Sequence, residues 1–118
     1  MSWAERHTIA VTCDASGDAT VYSPTITGRI QSIHYVKNNF ADGVDFTITL
    51  EATGESLWTD TNVNAAEKVY PLVAGNLGGT GAASALTEVP IIAANDRVKI
   101  VVAAGGNATT GAFRVIVA

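Results

Sequence analysis

The chain has 118 residues, a formal net charge of −4 and an apolar content of 47%, enough for one domain that folds without a metal or a disulfide. Asp, Glu, Lys and Arg together make up only 15%, against about 25% in ordinary soluble domains, and no stretch is long and apolar enough for a membrane helix. Seven Lys and Arg without a cluster in sequence argue against nucleic-acid binding, which depends on neutralising phosphates, and against recruitment to anionic lipid.

The start, Met1 to His7, has neither the basic end nor the apolar run of a signal peptide, so synthesis in a cytoplasm is expected. Residues 1–8 read as an N-terminal arm and 9–118 as the folded domain. Trp3 lies ahead of any strand pattern, and a Trp near a free terminus is the kind of anchor that interfaces favour. Trp3, Arg6 and His7 are therefore the candidate partner-binding residues.

From Ile9 onward the pattern is β. Ile9, Val11 and Cys13 share one face, with Thr8, Ala10 and Thr12 opposite. This period of two marks a half-buried strand. Asp14-Ala15-Ser16-Gly17-Asp18 reads as a tight hairpin turn, followed by a strand over 19–22. A long strand is expected over 25–37. Its apolar residues shift from even positions (Ile26, Ile30) to odd ones (Ile33, Tyr35), which predicts a bulge or bend near Gln31-Ser32, a place for the strand to change sheets. After the Asp42-Gly43 turn, Phe46, Ile48 and Leu50 alternate with Asp45, Thr47, Thr49 and Glu51. Further strands are expected over 55–59, 68–73 and 88–93. Between the last two, residues 74–86 are small, Gly-rich and uncharged, long for a loop and either mobile or held by a neighbour. Val98, Ile100 and Val102 alternate with Arg97 and Lys99. Gly105-Gly106-Asn107 reverses the chain, and Phe113, Val115 and Val117 close it on one face.

These short strands with turns between them predict an all-β fold, a single-domain two-sheet antiparallel sandwich of jelly-roll type, with a closed barrel as the alternative. A single open sheet would leave an apolar face and two edges in water.

Catalytic chemistry is sparse. The chain has His7 and His34, one cysteine, and no Gly-x-Ser-x-Gly, His-Glu-x-x-His or Cys-x-x-Cys pattern. Cys13 is placed as an apolar filler and His34 as a partly buried, hydrogen-bonded strand residue. No catalytic or cofactor-binding residue is assigned, and the protein is expected not to be an enzyme. Gly75 to Gly81 lacks the Gly-Lys-Ser/Thr and the helix of a phosphate loop. Asp60-Thr61-Asn62-Val63-Asn64 copies the first half of a calcium loop, but Ala65 and Pro71 stand where Gly and Glu belong, and no metal site is assigned. Trp58 is expected to serve the core.

Gly28-Arg29-Ile30, Ile33 to Lys37, Phe40 to Thr49, Leu57-Trp58-Thr59, Asn62 to Ala65, Tyr70-Pro71, Asp96 to Val101 and Gly105 to Gly111 resemble a family of small structural proteins of tailed phages, over roughly residues 25–118. The resemblance implies a capsid decoration (cement) protein that binds the major capsid protein and stabilises the head shell. It also implies a homo-oligomer, a trimer foremost, located in the virion and assembled in the host cytoplasm. The alternatives are a virion carbohydrate-binding or adhesion module and a tail or connector protein.

Overall fold

The computed structural model describes residues 4–118, residues 85 and 86 by their backbone alone. Its strands are β1 (Glu5–Thr12), β2 (Ala19–Tyr22), β3 (Ile26–Lys37), β4 (Val44–Leu50), β5 (Ser56–Val63), β6 (Glu67–Val69), β7 (Leu72–Asn76), β8 (Ala83–Pro90), β9 (Ile92–Asp96), β10 (Val98–Ala103) and β11 (Thr110–Val117). There is no helix among the described residues, hence none long and apolar enough to cross a membrane.

Two antiparallel sheets carry the fold. One runs β1-β11-β3-β6, with β9 paired to the first part of β3, and the other runs β2-β10-β4-β5. With β7, β8 and β9 set aside, every connection but β4–β5 crosses from one sheet to the other, and this interleaved order is that of a jelly roll. Crossing explains a difference from the sequence reading. The Asp14–Asp18 turn is tight, with Asp14 N–H donating to Asp18 O (2.9 Å) and Gly17 N–H to Asp14 O (3.1 Å). It is nevertheless an arch between sheets rather than a hairpin within one, and so is the reversal between β10 and β11.

The alternating residues face each other across the sandwich. Ile9, Val11, Phe113, Val115 and Val117 from one sheet, and Phe46, Ile48, Leu50, Val98, Ile100 and Val102 from the other, are all buried. The predicted slip in β3 is present. Ile116 pairs with Ser32 and Val117 with Ile30, leaving Gln31 as the extra residue. Ahead of this bulge β3 pairs with β9 rather than with the opposite sheet. Residues 5–8, assigned to the arm, form the first half of β1, in register from Glu5↔Val117 to Thr8↔Arg114. Arg6 alternates outward, so its strand lacks the apolar signal until Ile9.

Five aromatic rings fill the centre. Tyr35 stacks on Phe113 (5.3 Å) and Phe40 (6.0 Å), while Phe46 meets Phe113 (5.1 Å) and Trp58 (4.7 Å) edge-on. Trp58 is partly buried against this core. The Tyr35 hydroxyl is buried with no hydrogen-bond partner among the described residues. Desolvation foremost, then the charges of Cys13 and Asp42, pushes its pKa up to about 12. A buried hydroxyl without a partner costs roughly 1–3 kcal/mol, so Tyr35→Phe is expected to leave stability unchanged or raise it by about 1 kcal/mol. The sign with pH follows. In the unfolded chain the phenol ionises near 10 and in the folded chain near 12. Stability present below pH 10 is therefore lost as pH rises through that window. Urea titrations at pH 8 and pH 11 should show Tyr35→Phe escaping the part of the alkaline loss that this phenol causes.

Candidate functional site

Residues 72–90 depart most from the sequence reading. In place of the loop expected over 74–86 between strands 68–73 and 88–93, β7 and β8 form a two-stranded ribbon pairing Leu72↔Pro90, Val73↔Val89, Ala74↔Glu88 and Asn76↔Ala83. Its tip is closed by Leu77 N–H donating to Ala82 O (2.7 Å) and Asn76 Nδ2 to Gly81 O (2.8 Å). The ribbon begins where Pro71, which has no N–H to offer, ends pairing after β6. Pro71 and Ile91 are buried at its base, whereas the ribbon itself stands away from the core. Tyr70, Leu72, Val73, Leu77, Val89 and Ile92 on and beside it are 38–65% exposed. Between Lys68 and Asp96 its one charged side chain is Glu88. An isolated two-stranded ribbon is marginal in water, and one this apolar and uncharged is the kind of surface that other proteins cover.

The second feature lies on the outer face of the β1-β11-β3-β6 sheet. The register places Arg114 opposite His34 and His34 opposite Lys68 in one cross-strand row. The adjacent row holds Arg6, Ile116 and Ser32. Together they line a shallow depression of about 80 Å³, room for more than one water and hence for one carboxylate-sized group. Among the described residues Arg6, Lys68 and Arg114 have no ion-pair partner, although Lys68 lies 5.5 Å from the ring centre of Tyr70. Lys37 instead pairs with Asp42, and Arg97 pairs with Glu51 (2.6 Å).

Of the three candidate interface residues, Trp3 lies outside the described residues. Arg6 and His7 are strand residues pointing to opposite sides of the sheet. His7 Nε2 sits 3.4 Å from Glu5 Oε2 in a cleft of about 310 Å³ lined also by Thr25, Thr27 and Ala118. Arg6 lines the cationic depression instead, so the structure separates the two. His34, expected to be hydrogen-bonded, has no side-chain hydrogen bond among the described residues and joins the cations. Sequence reading missed Lys68 and Arg114 because only the strand register brings them together.

The other candidates fall to structural roles. Cys13 is buried beneath the two arches, and burial pushes its thiol pKa up, against a lowering hydrogen bond to Thr109. Asp60 to Val63 belong to strand β5, and the neighbouring oxygens hold backbone. Asp45 Oδ1 accepts from Asn62 N–H (2.8 Å), Asn64 Oδ1 from Gly43 N–H (2.8 Å) and Asp60 Oδ1 from Thr61 N–H (2.9 Å). No group of three or more His, Cys, Asp or Glu that could hold a metal ion occurs among the described residues.

No family model matches the chain, and no curated protein matches it. Among solved structures, dimeric latent PorU from Porphyromonas gingivalis aligns over 95% of this chain and 12% of its own, at 9% identity and a TM-score of 0.39. A likeness that slight bears on neither fold nor function.

Proposed function

We propose that this protein is a virion structural subunit, a decoration protein that binds the major capsid protein of a tailed-phage head and stabilises the shell. The observation that carries this reading is the projecting ribbon. It is a surface of 19 residues, 72–90, with one charge and, among its described residues, four exposed large apolar side chains, on a sandwich whose described residues present no catalytic constellation. The scarcity of charge over the whole chain supports the same reading, since surface covered by neighbours needs fewer ions. The work is mechanical: many modest contacts, repeated over a lattice, bind strongly through multivalency.

The test is to replace residues 73–89 by an Asn-Gly turn, which joins the paired ends of Leu72 and Pro90 in hairpin geometry. The ribbon buries little, so stability should change by less than about 1 kcal/mol, or ~4–8 °C in Tm. Co-sedimentation with shells of the major capsid protein should be lost. A variant that still decorates shells as the full chain does would refute the ribbon as the binding element.

A further inference from the structure

The ribbon and the cationic depression complement each other. Cross-strand alternation puts Glu88 on the ribbon face that also presents Leu72, Ala74 and Pro90, opposite to the Val73–Val89 pair. This face offers one carboxylate in an apolar strip. The outer face of the β1-β11-β3-β6 sheet offers the converse. Its outward positions beside the depression are Thr8, Ala10, Ala112 and Val36, small and neutral. No carboxylate stands among those outward positions, because Glu5 and Glu67 take the other phase of their strands. Three permanent cations on neighbouring strands repel one another unless an anion sits among them.

We infer that the ribbon of one copy lies on this sheet face of a second copy, with the Glu88 carboxylate seated among Arg6, Lys68 and Arg114. The inference rests on the assembly reading above and gives the Glu88 face of the ribbon to a second copy, leaving the opposite Val73–Val89 face for the shell. The charge balance selects this occupant. Without those three cations the chain carries four Lys and Arg against eleven Asp and Glu, a balance of −7 that repels an extended polyanion such as nucleic acid. A single carboxylate on a neutral ribbon meets no such barrier, and the depression has room for one. Donor and acceptor are different surfaces, so the contact is heterologous. It closes into a ring if the rotation permits and otherwise runs on as a filament.

Sedimentation equilibrium of the purified full chain tests this without any shell. The natural chain should self-associate at micromolar concentration. Glu88→Lys, and separately the double variant Lys68→Glu/Arg114→Glu, should each weaken association about 30-fold or more, as loss of a close interfacial charge pair does. Combining all three substitutions should restore most of it. All these positions are exposed, so unchanged melting curves will show that the variants fold. A monomeric natural chain, single variants that associate normally, or no recovery in the combined variant would each overturn the contact. A natural chain that is monomeric yet decorates shells would remove this contact and leave the proposed function standing. Charge-dependent association without shell binding would do the reverse.

Discussion

Replacing Phe113 by alanine is expected to remove about 3–5 kcal/mol of folding stability, a large share of the roughly 5–15 kcal/mol that a domain possesses. Phe113 sits on β11, the second strand of its sheet, is fully buried, and reaches across the sandwich to Phe46 on β4 at 5.1 Å while stacking on Tyr35 of its own sheet at 5.3 Å. It is therefore a contact between the sheets as well as within one, and each aromatic pair contributes about 0.5–1.5 kcal/mol beyond area burial. Neighbours cannot collapse into the vacancy, because Tyr35 and Phe46 are fixed by Phe40 and Trp58. Urea titration should show a midpoint that falls with its slope unchanged. Phe113→Leu, which keeps most of the volume, should cost under about 1.5 kcal/mol. Equal losses in the two variants would mean that ring geometry, not filled volume, is what the core requires.

The sandwich was legible because its strands are half-buried. Phe46-Ile48-Leu50 and Val98-Ile100-Val102 alternate because one face meets the core and the other meets water, and a period of two is the direct imprint of that geometry. The Gln31-Ser32 bulge was legible for the same reason, as a break of phase. The outer part of the ribbon, 74–86, was not. Its Gly, Ala, Asn and Ser residues have weak strand preference, and none of its described residues is buried deeply enough to impose a pattern. Its pairing is held by backbone hydrogen bonds, which leave no trace in side-chain choice. Turn residues announced that the chain reverses at Asp14–Asp18 but not which sheet it enters, since an arch and a hairpin ask for the same Asp and Gly. The cationic row was hidden by distance along the chain. Arg6 and Arg114 are more than one hundred residues apart in sequence, and only the β1–β11, β11–β3 and β3–β6 registers together bring them within reach of Lys68.

The arches that make the topology also set the second large effect. Gly17→Ala is expected to cost about 2–5 kcal/mol, the sum of backbone strain and crowding. Gly17 has φ +81°, a left-handed conformation that disfavours any Cβ. That Cβ would also stand 2.7 Å from Gly106 N and 3.1 Å from Gly105 N. These are backbone atoms of the other arch, and they cannot rotate aside as a side chain would. The same two segments are joined by Gly105 N–H donating to Gly17 O (2.9 Å), and Cys13 fills the space beneath, with its Sγ 2.7 Å from where a Gly105 Cβ would lie. One end of the sandwich is thus closed by two glycine arches in backbone contact, and pushing them apart opens the seam between the sheets. Gly54→Ala is the matched control. Gly54, in the turn between β4 and β5, has a similar φ, +75°, but nothing within 4 Å of its Cβ position. It should lose only the strain, about 1–2 kcal/mol. The difference between the two variants in urea measures the contact between the arches. If both lost the same amount, the arches would merely lie side by side and the closure of the sandwich would have to come from the core alone.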